Sequence, residues 1–114
     1  MKYIKLFEDK GIDLFNAILK GDINRIKHLI RTGTDINIKA IDGRTPLFYA
    51  AQHDYMQIVN ILIEAGADWN VKNNKGYYFT YLLTDKQYEN IIKNYPNEYN
   101  NYLIKKEAEE KFNL

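Results

Sequence analysis

Residues 43–70 read GRTPLFYAAQHDYMQIVNILIEAGADWN, and this stretch predicts two short helices joined by a turn. Thr45-Pro46 is typical of a helix start, because a Thr hydroxyl can accept from an unpaired amide and Pro has no N–H to leave unpaired. Gly66 is typical of a helix end, since glycine readily adopts a left-handed backbone conformation. The apolar residues between these signals recur at helical spacing. They are Leu47, Ala50, Ala51, Ile58, Val59, Ile61, Leu62 and Ile63.

The same unit occurs once before, 33 residues earlier along the chain. The matching pairs are Gly33 and Gly66, Asp35 and Asp68, Asn37 and Asn70, Lys39 and Lys72, Leu14 and Leu47, and Leu29 and Leu62. A period of this length that covers two helices and a turn is typical of a repeat array. We therefore expect these four leucines to meet in one contiguous interior.

The segments DGRTPLFYAA (residues 42–51) and IVNILIEAGADWN (residues 58–70) closely resemble the ankyrin repeat pattern. Residues 13–37, DLFNAILKGDINRIKHLIRTGTDIN, resemble an ankyrin N-terminal capping repeat. The resemblance implies an all-α fold, an ankyrin-type solenoid of stacked helix-turn-helix repeats with projecting β-hairpin-like loops. It also implies that the DIN and DWN tripeptides hold the hairpins through side-chain bonds to nearby backbone.

We expect a single ankyrin repeat domain over residues 1–114, which is divided as follows. The predicted units are an N-terminal extension (1–11), repeat 1 (12–39), repeat 2 (40–72), a degenerate repeat 3 (73–95) and a C-terminal helix or cap (96–114). Residues 1–10 should form a short helical turn over the exposed end of repeat 1. The predicted helices span 12–20, 22–32, 46–53, 56–65, about 78–83, 85–95 and about 97–111. Thr84 and Gln87 have capping-box spacing.

The aromatic residues carry several expectations about packing. Seven of the ten tyrosines lie between residues 77 and 102, where they could seal the last repeat or form a sticky face for a partner. We favour the seal for Tyr78, Tyr81 and Tyr88, and we leave Tyr77 open. Phe15 and Phe48 occupy equivalent positions, so they should stack as an aromatic column. Trp69 should be partly buried against repeat 3.

Composition excludes several classes of function. The net charge of +1 provides no basic field for nucleic acid, and the absence of Cys excludes thiolate metal sites. The sequence also lacks Ser, so the usual acyl-transfer nucleophiles are missing. His28 has no second ligand at metal-binding spacing and should be solvated or half-packed. We therefore expect no catalysis, no cofactor and no metal. No signal peptide or membrane span is visible, which makes the cytoplasm the expected location.

The resemblance implies that the chain binds another protein through a concave face made of hairpin tips and first helices. Carried over onto this sequence, the contact positions lie on the two hairpins and at the end of one first helix. They are Lys39, Ile41, Asp42, Arg44, Gln52, His53, Lys72, Asn74, Lys75 and Tyr77. Arg44, His53 and Tyr77 are the expected energetic anchors, and Ile41 stands out as an apolar residue at a hairpin tip.

Three functions remain open at this point. The first is a monomeric protein-binding module, which we favour. The second is a structural or assembly protein that self-associates through the ends of its stack. The third is an effector from a bacterium or virus that acts on a host by binding protein. The resemblance also allows Asn37 or Asn70 to be a site of asparaginyl hydroxylation.

Overall fold

The computed structural model describes the backbone of residues 2–112 and the side chains of residues 10–112. These residues contain six α-helices and one 3₁₀ helix, joined by turns and loops, and no strand occurs among them. The helices are α1 (Lys2–Lys20), α2 (Ile23–Arg31), α3 (Pro46–Gln52), α4 (Met56–Glu64), the 3₁₀ helix (Phe79–Leu82), α5 (Asp85–Asn94) and α6 (Pro96–Phe112). The all-α helix-turn-helix solenoid is thereby confirmed.

The core forms where consecutive helix pairs pack against each other. The helix α1 contacts α2 and α3, and α3 in turn contacts α4 and the 3₁₀ helix. Leu14, Leu29, Leu47 and Leu62 are all buried in one hydrophobic cluster, as the repeat spacing predicts. Burial of a side chain of this size stabilises the fold by about 1.5–3 kcal/mol.

Two helices begin with the side-chain caps that their sequences favour, whereas a third does not. The Asp22 carboxylate caps α2 by accepting from the Arg25 amide at 3.1 Å, and Thr84 and Gln87 form the predicted capping box of α5. The Thr45 hydroxyl, however, makes no capping hydrogen bond with any described backbone amide. Its side chain is instead buried, so the start of α3 depends on the fixed backbone of Pro46.

The N-terminal helix is longer than expected. We predicted a short turn over residues 1–10 and a separate helix over 12–20, but α1 runs without interruption from Lys2 to Lys20. Gly11 lies inside this helix, and a Cβ atom there would come within 2.5 Å of the Ile38 Cδ1 atom. The glycine therefore allows the helix to approach the first hairpin closely. Whether residues 1–9 cover repeat 1 depends on side chains that lie outside the described residues.

The third repeat contains a single turn of 3₁₀ helix where we expected a helix over about 78–83. Leu83 has an extended backbone and Thr84 already caps α5, so only one turn fits after Tyr78. Tyr102 of α6 completes the seal over this repeat, because its ring is buried and its hydroxyl lies 3.1 Å from the Thr80 hydroxyl. Tyr81, which we assigned to the seal, is 66% exposed.

Two further aromatic expectations need correction. Phe15 packs edge-on against Tyr49, with ring centroids 4.9 Å apart, and not against Phe48. Phe48 lies in the hydrophobic core, one position away from the residue that meets Phe15. Trp69 is almost completely buried, since its ring meets both Phe79 and Tyr102 at centroid distances of 5.4 and 5.7 Å.

The hairpins are held by the Asp and Asn side chains, as the DIN and DWN tripeptides predict. Asp35 and Asp68 each accept a 2.9 Å bond from the amide of the Asn two residues on. The Asn37 side chain accepts from the Asp68 amide at 2.9 Å, which joins one hairpin to the next. Asn70 has no following hairpin and donates to the Tyr102 carbonyl at 3.0 Å.

The tips of the two hairpins also touch. The Asn74 amide donates to the Asp42 carbonyl, and the Asn74 side chain donates to the Ile41 carbonyl, both at 3.3 Å. A Cβ atom on Gly43 would lie 2.9 Å from the Asn74 backbone nitrogen. Only glycine leaves room for this contact.

This contact generates a comparison between equivalent glycines. Gly43 and Gly76 have almost the same backbone angle, with φ of 83° and 84°, but nothing lies within 4 Å of a Cβ atom on Gly76. We expect Gly76→Ala to cost about 1–2 kcal/mol of stability from backbone strain alone. Gly43→Ala should cost about 1–3 kcal/mol more because of overpacking. Urea unfolding followed by circular dichroism measures both, and equal losses would contradict the tip contact.

A second prediction concerns Tyr95, whose hydroxyl donates to the Glu64 carboxylate at 3.0 Å. Burial, this hydrogen bond and the charges of Glu64 and Glu98 raise the pKa of Tyr95 from 10.0 to about 12. The folded state therefore favours the neutral phenol, and this stabilisation is full below pH 10 and is lost as the pH rises through about 12.

We expect Tyr95→Phe to flatten the fall in the free energy of unfolding across this pH window, measured by urea unfolding at several alkaline pH values. Glu64→Gln keeps an acceptor and removes the charge, so its pH dependence should lie between those of wild type and Tyr95→Phe. If the free energy of unfolding fell with pH at the same rate in all three chains, the raised pKa of Tyr95 would be contradicted.

Candidate functional site

Two grooves lie between the hairpins and the first helices of the repeats. The central groove has a volume of about 580 Å³, and the N-terminal groove has a volume of about 850 Å³. The central groove is lined by Asp42, Arg44, Phe48, Gln52, Asn73, Asn74, Lys75, Tyr77, Tyr81 and Leu82. The N-terminal groove is lined by Gly11, Ile12, Phe15, Ile38, Lys39, Ala40, Ile41, Asp42 and Tyr49.

Arg44 is the structural centre of the central groove. Its Nε donates to the Asp42 carboxylate at 2.5 Å, and its Nη2 donates to the Tyr49 hydroxyl at 3.3 Å. Its Nη1 donates to the side-chain oxygen of Gln52. The guanidinium carbon also lies 4.3 Å from the centroid of the Tyr49 ring. Arg44 therefore fixes the first hairpin to α3, and most of its donors are already used inside the chain.

Asp42 is held in its charged form by the same network. The Arg44 amide donates to the Asp42 carboxylate at 3.1 Å, and this bond is the largest cause of a lowered pKa for Asp42. The guanidinium of Arg44 lowers this pKa further. The carboxylate and the guanidinium thus neutralise each other at the boundary between the two grooves.

An aromatic surface forms the other wall of the central groove. The rings of Tyr77 and Tyr81 are stacked nearly parallel, with centroids 4.2 Å apart and an angle of 6° between their planes. They are 42% and 66% exposed, and the neighbouring Leu82 is 37% exposed. Stacking restricts the motion of both rings, so the groove presents a preformed apolar surface.

The second hairpin fixes the position of this surface. The Asn73 side chain accepts from the amides of Lys75 and Tyr77, in both cases at 3.0 Å. The Asn73 amide donates to the Tyr77 carbonyl at the same distance, which closes the loop. Lys75 projects from the tip of this loop and is exposed.

The structure gathers most of the predicted contact residues into the two grooves. The central groove contains Asp42, Arg44, Gln52, Asn74, Lys75 and Tyr77, whereas Lys39 and Ile41 line the N-terminal groove. His53 and Lys72 line neither. His53 stacks on Tyr55 at 5.7 Å, and Lys72 lies 3.5 Å from the Glu109 carboxylate of α6.

Sequence reasoning missed several apolar and aromatic residues that line the two grooves. Tyr81 and Leu82 lie in the degenerate third repeat, where no first helix of normal length was available to align. Ile12 and Phe15 lie on α1, and Tyr49 lies on α3. The 33-residue offset aligns Leu82 with Tyr49, but Tyr49 was missed as well, so the repeat period alone could not have identified Leu82.

Within residues 10–112, no three His, Cys, Asp or Glu side chains come close enough together to hold a metal ion. His28 is exposed on α2. In the described part of the chain, no helix has both the length and the apolar composition needed to cross a bilayer.

Comparison with known proteins identifies the family. A family model described as "Ankyrin repeats (3 copies)" matches residues 14–94. Protein phosphatase 1 regulatory subunit 27 of Homo sapiens is 33% identical over 79 residues, which are 69% of this chain and 51% of that protein. A putative ankyrin repeat protein of Rickettsia bellii is 37% identical over 70 residues, which are 56% of this chain and 42% of the relative.

A putative ankyrin repeat protein of fowlpox virus is 42% identical over 62 residues, covering 54% of this chain and 43% of the viral protein. The chain therefore spans about half or less of the length of these relatives. Ankyrin repeats are generally non-catalytic modules for protein–protein interaction. The helix pairs, the 33-residue period, the linked hairpins and the matching family model together establish that this chain belongs to the ankyrin repeat family.

Proposed function

We propose that this chain is a non-catalytic module that binds a partner protein through its hairpin side, mainly at the central groove. The observation that carries the proposal is the stacked pair Tyr77–Tyr81, which is exposed beside Leu82 on a frame held by hydrogen bonds. Aromatic side chains contribute a large share of binding energy at protein interfaces. A rigid frame also reduces the entropy lost on association.

The other predicted residues take different roles in this proposal. Lys75 and Asn74 form the polar rim at the tip of the second hairpin. Arg44 and Asp42 act mainly as supports, because they bind each other and Arg44 also bonds to two residues of α3. His53 and Lys72 contribute least, since both lie outside the grooves and contact other parts of the chain.

The relatives support a binding role in general terms. One of them is named as a regulatory subunit of protein phosphatase 1, and two are named only as ankyrin repeat proteins. Because the matched relatives come from a human, a bacterium and a virus, their sources do not favour the host-directed effector over an ordinary cellular role. We therefore keep the function at binding of a partner protein, with effector action as the alternative.

Self-association through the C-terminal end has less support. The tyrosines that suggested it are largely used inside the chain: Tyr78 donates to Glu109 at 2.6 Å, Tyr95 to Glu64, and Tyr102 is buried. We expect light scattering to give the mass of one chain over a wide range of concentration. A mass that rises with concentration would contradict the monomer.

Site-specific photocrosslinking tests the binding proposal directly. We expect a benzophenone amino acid at position 81 to give a discrete adduct with one protein in extracts of the cell that encodes this chain. Ile104 provides a matched control position, because it is also 66% exposed and lines neither groove. Adducts should form from position 81 and not from position 104.

The adduct should also depend on the groove itself. We expect excess unlabelled wild-type chain to compete for the partner and suppress formation of the adduct. Excess Tyr77→Asp chain should suppress it about tenfold less effectively, which corresponds to loss of one aromatic anchor. The proposal fails if positions 81 and 104 give the same adducts, or if neither gives one.

A further inference from the structure

The two grooves are the same site in successive repeats. Six of the nine positions that line the N-terminal groove correspond, 33 residues later, to positions that line the central groove. Among these pairs are Phe15 and Phe48, Ile41 and Asn74, and Tyr49 and Leu82. Asp42 lines both grooves, so they adjoin each other along the hairpin side.

The N-terminal groove is open because two positions lack the groups that narrow its counterpart. Gly11 stands where the central groove has Arg44, so no guanidinium crosses it. Ile41 stands where the central groove has Asn74, and its side chain is fully exposed instead of bonding to a neighbouring hairpin. With Ile12 56% exposed on α1, the groove offers water an apolar surface.

Apart from Asp42, the charged residues that line the two grooves are basic. Lys39 lines the N-terminal groove and Lys75 lines the central groove, and neither lies within ion-pair distance of a described carboxylate. Asp42, which lies between them, is already paired with Arg44. Each groove therefore combines an apolar surface with one lysine, and this combination is complementary to apolar side chains in an acidic segment.

Helix packing sets the spacing between the grooves. The first helices α1 and α3 are in contact, and packed helices lie about 8–10 Å apart. A chain in the extended polyproline II conformation advances about 3.1 Å per residue with three residues per turn, so side chains three residues apart point the same way about 9 Å apart. A bound segment that places one side chain in each groove therefore needs those two residues to be three positions apart.

We propose that the two grooves together bind one extended, acidic segment of the partner. One apolar side chain of the segment lies in each groove, and the second apolar residue comes three positions after the first. This inference rests on the proposed function and adds the chemistry of the partner. The N-terminal groove takes one apolar side chain against Ile12 and Ile41. The central groove takes the other against Tyr81 and Leu82, while Lys39 and Lys75 face the acidic residues between and beside them.

Fluorescence anisotropy with synthetic peptides tests this inference on the full chain. The probes are labelled acidic peptides of glutamate and serine that carry two leucines at separations from one to five residues. We expect the separation of three to bind roughly tenfold more tightly than adjacent leucines, as for the gain of one apolar anchor. The same peptide with lysine in place of glutamate should bind more weakly still.

Matched variants assign the binding to the grooves. Ile41→Asp and Tyr81→Asp should each weaken the best peptide roughly tenfold, whereas Ile104→Asp, a change at another exposed apolar position, should not. A chain with Lys39→Glu and Lys75→Glu should reverse its preference and favour the basic peptide. The pair Lys20→Glu and Lys93→Glu, at exposed positions outside both grooves, makes the same change in net charge and should keep the preference for the acidic one.

The reversal is a gain of binding, so loss of folding cannot produce it. Binding that does not depend on leucine separation, or equal effects of Ile41→Asp and Ile104→Asp, would overturn the inference. Failure of every acidic peptide would also overturn it. If position 81 still crosslinks to a discrete partner in that case, the proposed function stands and only the chemistry assigned to the partner is wrong.

Discussion

The structure depends on burial of an apolar seam that no single helix pair could bury by itself. Leu14 and Leu29 of the first pair share one interior with Leu47 and Leu62 of the second. Each pair has an apolar face that only its neighbour covers, so every repeat is stable because the next one is present. This requirement places the first helices side by side, and it thereby places the hairpins in one row.

The end of the array meets the same requirement with a different element. Asn37 bonds to the amide of Asp68 in the following hairpin, whereas Asn70 bonds to the Tyr102 carbonyl of α6. The helix α6 thus takes the place of a following repeat at the hairpin base and buries Trp69. The Tyr77 ring nevertheless stays 42% exposed beside the central groove.

Much of the fold could be predicted because it follows from residues that act locally or recur. The 33-residue period predicts which leucines meet, and Thr84 and Gln87 predict a capping box from their spacing alone. The errors concern residues whose environment is set by distant parts of the chain. Tyr81 and Tyr102 both belong to the seven tyrosines between residues 77 and 102, but only Tyr102 contacts the buried Trp69. The anchor role of Arg44 stays a prediction, and what the sequence did not indicate is that Arg44 bonds to Asp42 and α3.

Aromatic residues at the same repeat position differ in burial along this chain. Phe48 is buried in the core, and Tyr81, 33 residues later, is 66% exposed. The difference arises because repeat 2 is followed by repeat 3, whereas repeat 3 is followed by α6, which leaves the Tyr81 ring exposed. An exposed ring there adds little to folding, so its identity can change without loss of the stack, whereas Phe48 cannot. Under the proposed function, partner choice therefore depends on the third-repeat residues that α6 leaves exposed, and stability depends on the residues that neighbouring elements bury.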